Sequence, residues 1–163
     1  MQRPTKQYDE ANAVHLTGNE LGDGLSFNKL WDKAKQYAKD HFSGKDDAGK
    51  DREFPITSNG HRVRIPVKGI KHTLEFAKTK DDIYAVIALP QLLERAYWDK
   101  NAESHKKRTN IDHVEIYYAS LKIGNNNYVA EMVVFVEKGG KEKMELSSLR
   151  SFHHQKIEGP EDQ

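Results

Sequence analysis

The chain has 163 residues, 26 Lys/Arg against 25 Asp/Glu, 36% hydrophobic and 31% charged residues, and no cysteine. That length fits one domain with short extensions, and the apolar fraction suffices for a core in the middle of the chain. The missing thiols exclude disulfides, cysteine-ligated zinc, iron–sulfur clusters and a thiol nucleophile, and no apolar run approaches the roughly 18–20 residues that span a bilayer.

Residues 1–12 are polar and read as a loose N-terminus. Residues 13–16 suggest a short strand, followed by turn and loop through Gly24. Ser26 is a suitable N-cap for the next segment. Phe27, Leu30, Trp31, Ala34, Tyr37, Ala38 and Phe42 recur there at spacings of three and four, which predicts an amphipathic helix ending near Gly44. Its aromatic stripe belongs to a core rather than to a stacking platform. Residues 45–51 form an exposed charged linker. Strand-like runs at 53–57 and 62–66 then flank Ser58-Asn59-Gly60-His61, a hairpin pattern because Asn and Gly tolerate positive φ. Residues 69–78 and 81–88 look helical, and Pro90 either breaks that pattern or opens a fresh helix over 90–98. The hydrophilic stretch 99–110 reads as a loop. Three strands follow at 113–123, 128–137 and 141–149, joined by turns at 124–127 and 139–140. The tail at 158–163 is polar and predicts disorder. The fold class is therefore α+β: N-terminal helices on one face of an antiparallel sheet that ends in a three-stranded meander. A single domain over 13–152 lies between a flexible N-terminus and a flexible tail at 153–163.

Near-neutrality hides one basic segment. Residues 61–80 carry Arg62, Arg64, Lys68, Lys71, Lys78 and Lys80 against a single acid, Glu75, while the segments on either side carry a slight excess of acid. Such a segment is a landing site for phosphates or acidic partners; a solvated amphipathic helix start is the ordinary alternative. The stretch 62–74, RVRIPVKGIKHTL, joins a strand to a helix and marks the working centre.

Tight turns place Ile123 opposite Tyr128 and Lys138 opposite Lys141, and strand alternation then sorts the meander onto two faces. Val114, Ile116, Tyr118, Val133, Phe135, Met144 and Leu146 form a face for the helices to cover. His113, Glu115, Tyr117, Met132, Val134, Lys143, Glu145 and Ser147 form an open, mixed face. A one-residue slip exchanges the two. On the open face His113 can exchange a proton near neutrality, and Lys71 or Lys143 can stabilise charge developing on a phosphate. A half-exposed sheet face decorated with polar residues is the alternative for each of them.

The order of local motifs carries a resemblance. Val14-His-Leu-Thr-Gly-Asn-Glu20 precedes the aromatic-rich helix and the hairpin. Gly69-Ile-Lys-His-Thr-Leu74, Leu89-Pro-Gln-Leu-Leu-Glu-Arg-Ala96 and a meander opening with Tyr117-Tyr118 follow. In this order, over residues 13–150, the chain resembles the phage and mobile-element domains of the barnase/EndoU/colicin/RelE-like (BECR) nuclease superfamily, in particular the domain carried by large polyvalent phage proteins. The resemblance implies a compact α+β nuclease fold. It also implies RNA cleavage without metal, by attack of the 2′-hydroxyl on the adjacent phosphate, with catalytic side chains that differ between families. Lys71, in the matching Gly-Ile-Lys motif, is the position carried over from it. The near-neutral charge departs from the basic character usual among secreted ribonuclease toxins.

These readings together give a metal-independent ribonuclease, a hydrolase-type nuclease serving as a toxin or delivered by a phage. The catalytic candidates are Lys71, His72, His113, Tyr117 and Ser147. The nucleic-acid-binding candidates are Arg62, Arg64, Lys68, Lys107 and Arg108. His15 suits a structural role in the first strand, and His41 suits a helix C-terminus. The adjacent His153 and His154 cannot point the same way on a strand, and no Asp/Glu/His spacing nearby completes a metal set, so no metal and no cofactor is expected. The glycine pairs at 22/24 and 139/140 are turns that match no phosphate-binding fingerprint. The expected partners are RNA, including tRNA or ribosome-bound RNA, and a cognate inhibitor covering the basic face. No membrane partner is expected. Without the apolar core of a secretory signal in MQRPTKQYDEANAV, the expected site of action is cytoplasmic, with delivery by phage or a non-classical secretion route. The alternative function is a non-catalytic nucleic-acid- or protein-binding module of a phage polyprotein. A nucleotidyl- or ADP-ribosyl-transferase ranks below both, because no nucleotide fingerprint is visible.

Overall fold

A computed structural model describes residues 7–103, 110–138 and 144–153, with side chains described as far as Arg150. In chain order the elements are β1 (Val14–Leu16), α1 (Phe27–His41), β2 (Glu53–Pro55), β3 (Arg62–Arg64) and α2 (Val67–Glu75). They continue with α3 (Lys80–Ile87), α4 (Leu89–Glu94), β4 (Tyr97–Ala102), β5 (Ile111–Ile123), β6 (Asn126–Glu137) and β7 (Met144–His153). The strands form a single sheet of order β1-β5-β6-β7-β3-β2, with β4 also on β5. The α+β class and the β5–β6–β7 meander match expectation. The sheet is mixed rather than antiparallel: β1 runs parallel to β5, and β3 parallel to β7.

Local chemistry explains most boundaries. Ser26 accepts a hydrogen bond from the Lys29 N–H at 3.2 Å and starts α1, whose Leu30, Ala34 and Ala38 are buried. Thr79 and Asp82 form a reciprocal capping box at the start of α3. Pro90 stands in the first turn of α4, where a missing N–H costs nothing, but that helix stops at Glu94. The run expected to stay helical and then loop instead becomes β4. Only Asp99 is buried in it, so no apolar alternation announced a strand. The loop candidates Lys107 and Arg108, the turn at 139–140 and the tail lie outside the described residues.

Gly69 decides how α2 docks. A Cβ there would sit 2.5 Å from the Leu146 backbone oxygen, so only glycine permits this approach. One turn later, Thr73 Oγ1 accepts the Leu149 N–H at 2.9 Å. The helix thus covers the edge of β7 that β3, paired only at Met144 and Glu145, leaves open.

The register corrects the assignment of faces. Ile123 pairs with Asn126 rather than Tyr128, a shift of two that preserves alternation between β5 and β6. On β7, Phe135 pairs with Glu145 rather than Met144, a shift of one that puts Met144 and Leu146 on the opposite face from Phe135, and a bulge then leaves Ser147 between the pairs Val133–Ser148 and Val134–Leu146. The helices cover the face bearing Tyr117, Met132, Val134, Met144 and Leu146, together with Ile65, Ile70, Leu74 and Leu89. Val114, Phe135 and Ile111, joined by Ile116 and Val133, make a smaller cluster on the other side. The face expected to be open is therefore the covered one. Both faces alternate apolar residues, so periodicity alone did not tell which side the helices would take.

Candidate functional site

A polar cluster forms where the turn between β2 and β3 folds against β5. Hydrogen bonds within the turn and to α4 and Ala96 hold it in place. Ile56 N–H donates to the His61 carbonyl at 2.8 Å, Thr57 N–H to the Glu94 carbonyl at 3.2 Å, Ser58 Oγ to the Ala96 carbonyl at 2.8 Å, and His61 N–H to Asn59 Oδ1 at 3.0 Å. Gly60, at φ 76°, makes the reversal possible. So anchored, Asn59 Nδ2 donates to the Tyr117 hydroxyl at 2.9 Å, and that hydroxyl donates to Glu115. Glu115, only 9% exposed, lies 3.0 Å from His113 Nε2 and 3.7 Å from His61 Nδ1. His113 Nδ1 is 2.8 Å from Asp112 Oδ2, the Asp112 side chain being extruded by a bulge in β5.

The electrostatics follow from these contacts. Hydrogen bonds to Asp112 and then to Glu115 raise the His113 pKa above its ordinary value, outweighing the opposite effect of burial. Burial, reinforced by the bond to Glu115, pushes the Tyr117 phenol up, so it stays protonated and acts as a donor. His61 differs from His113. Its Nδ1 is buried without a hydrogen-bond partner, a few tenths of an ångström beyond bonding distance of Glu115. The cluster is a buried carboxylate between two imidazoles and a phenol, and it can orient a histidine and balance its charge during proton transfer.

The sequence candidates fall into two groups. His113 and Tyr117 meet in this cluster, although Tyr117, expected on an open face, is fully buried and touches only protein. Lys71, His72 and Ser147 line a separate cleft of about 440 Å³ between α2 and β7, with Lys68, Glu75 and Glu145. Glu115 pairs with Val134 and Val134 with Leu146, two ladder steps or about 10 Å between backbones, but Phe135 and Glu145, which also line the cleft, lie on the opposite face of the sheet from Glu115. In the cleft, His72 Nδ1 is 4.0 Å from Glu75 Oε1, and its ring stands edge-on to Phe76 at 5.1 Å.

Of the arginines expected to bind nucleic acid, the two among the described residues, Arg62 and Arg64, are already engaged. Arg64 meets Glu137 at 2.9 Å, Glu145 at 3.3 Å and Asp51 at 3.5 Å, and Arg62 meets Glu53 at 3.4 Å. Arg64 is a carboxylate clamp that ties β3 to β6 and β7 rather than a free cation. His15 faces Glu10 at 3.3 Å, and His41 packs on Tyr37 at 4.3 Å between ring centroids. The sequence placed Asn59 in the hairpin turn and Glu115 on the mixed face, but nominated neither of them, nor His61, as a site residue. The alternation His113-x-Glu115-x-Tyr117 puts Glu115 beside two nominated residues and was a usable clue; nothing local pointed to His61. Among the described residues no group of three His, Asp or Glu side chains could hold a metal ion, and no helix is long and apolar enough to cross a membrane.

A family model described as large polyvalent protein-associated domain 3 matches residues 26–144. The chain belongs to that family. The match runs from Ser26 to the first residue of β7 and contains Asn59, His61, His113, Glu115 and Tyr117, together with Lys68, Lys71 and His72. It agrees with the polyvalent phage-protein part of the resemblance. No curated protein and no solved structure matches the chain.

Proposed function

We propose that this polyvalent-protein domain is a metal-independent ribonuclease with its acid–base centre at His61, Glu115 and His113. One observation carries the reading: a buried carboxylate stands between two partly exposed imidazoles, one held on both ring nitrogens and the other with its Nδ1 unpartnered. Cleavage by the neighbouring hydroxyl needs one group to accept a proton and another to supply one, and no cofactor. The 2′-oxygen attacks phosphorus as its proton passes to His61. The P–O5′ bond breaks as His113, kept as imidazolium by the buried Glu115 on Nε2, gives up its Nδ1 bond to the exposed Asp112 and protonates the leaving 5′-oxygen from Nδ1. The products are a 2′,3′-cyclic phosphate and a 5′-hydroxyl, and solvent restores both protonation states. Closing the gap of 3.7 Å between His61 Nδ1 and Glu115 would complete the pair when substrate binds. Tyr117 and Asn59 are positioning residues that fix Glu115 and the turn. Helices on one side of a sheet ending in a meander support a BECR-type arrangement, and a toxin role with a cognate inhibitor belongs to the same reading.

The test incubates the full chain with total RNA in EDTA, beside His61→Ala. Wild type should generate cyclic-phosphate ends, and His61→Ala should be slower by 100-fold or more, within the about 10²–10⁴ of a general acid–base group. Equal rates would remove His61 from the centre. RNA left intact by wild type would overturn the ribonuclease and favour the non-catalytic binding module.

A further inference from the structure

We propose that the cleft between α2 and β7 is a phosphate subsite for the backbone of single-stranded RNA. This rests on the ribonuclease reading and assigns the substrate a second point of contact. The first support is the state of the cations. Lys68 and Lys71 are exposed on the cleft, and neither has an ion-pair partner among the described residues, whereas Arg62 and Arg64 nearby are held by carboxylates. Two acids share the cleft: Glu145 divides Arg64 with Glu137 and Asp51, and Glu75 stands 4.0 Å from His72, so the lysines are its mobile cations rather than an excess of charge.

The second support is the backbone. Pro66, Lys68 and Gly69 line the cleft at the first turn of α2, and this helix start has neither a side-chain cap nor an acidic residue in its first turn. The Gly69 N–H is bonded to the Pro66 carbonyl at 2.9 Å, which leaves the Lys68 N–H and the positive end of the helix toward an anion. The third is rigidity: the glycine-only approach of α2 to Leu146 and the bond from Leu149 to Thr73 fix the cleft walls. Ser147 is the unpaired residue of the β7 bulge and lines the same cleft, where its hydroxyl can serve a phosphate oxygen. The cleft takes in Phe135 and Glu145 from the sheet face opposite Glu115, so a strand held there reaches the cluster around the sheet rather than along one face.

The experiment measures fluorescence anisotropy of a 2′-O-methyl RNA oligonucleotide, which lacks the attacking hydroxyl and so reports binding apart from turnover. Wild type should bind it. Lys68→Ala/Lys71→Ala should weaken binding by at least 10-fold and flatten the log–log salt slope by about 1.4, at about 0.7 per single-strand phosphate contact. Lys68→Arg/Lys71→Arg should retain binding, and Lys39→Ala, on α1, should match wild type. Inorganic phosphate is the second probe; competition by phosphate alone, with no oligonucleotide bound, would make this a free-phosphate site and overturn the RNA assignment. Undiminished oligonucleotide binding by the double alanine variant would also overturn it, as would no binding by wild type. Lysine-dependent binding without turnover of ordinary RNA would keep the subsite while the ribonuclease reading failed.

Discussion

The Glu115 cluster and the α2–β7 cleft hold the same kinds of side chain in opposite physical states. In the cluster the carboxylate is buried and every neighbour is committed to it or close to it, so the groups hold the β2–β3 turn onto β5 as well as standing ready for proton transfer. In the cleft the lysines stand in water, and rigidity comes from the backbone contact at Gly69 instead. Titratable groups that share a buried network are coupled to the fold. Cations on a surface cleft answer mainly to a ligand.

That contrast can be broken by removing one member at a time. Glu115→Ala should have the largest effect on stability, because it strands the Tyr117 hydroxyl and the His113 ring. A loss of about 3 kcal/mol is expected, read by urea denaturation. A loss below about 1 kcal/mol would mean that water readily replaces the carboxylate. Gly69→Ala comes next, at about 2 kcal/mol by the same measurement, since α2 must shift away from Leu146. It should also weaken oligonucleotide binding, tying the cleft to that close approach.

A pH series sharpens the comparison further. The folded-state pKa of His113 is raised, so its stabilising contribution is fully present below the unfolded value of about 6.5 and is lost as pH rises through the folded value. The difference in melting temperature between wild type and His113→Gln should therefore be largest near pH 6 and shrink toward pH 9. A constant difference across that range would assign His113 a packing role only. The smallest effect belongs to the cleft: Lys68→Ala/Lys71→Ala should change stability by no more than about 0.5 kcal/mol, whatever it does to binding.

Much of the architecture was legible residue by residue. The spacing from Phe27 to Phe42 and the cap at Ser26 predicted α1, the motif around Asn59-Gly60 predicted the hairpin, and the apolar runs after residue 111 predicted the meander. Three features were not. β4 lacks apolar alternation and gains its place from β5. The bulge at Ser147 shifts the register of β7 through backbone geometry that no side-chain pattern announces. Arg64 reads as a free cation because two of its carboxylate partners lie 73 and 81 positions away.

The candidate site divides the same way. Residue types and local order nominated Lys68, Lys71, His72, His113, Tyr117 and Ser147, because chemistry is written in side chains and helical neighbours stay neighbours. Only the tertiary structure separated these residues into two places and buried Tyr117. It alone carried His61 and Asn59 across the sheet to Glu115, since contacts between distant segments depend on which face the helices cover and on a turn held by bonds to α4 and Ala96.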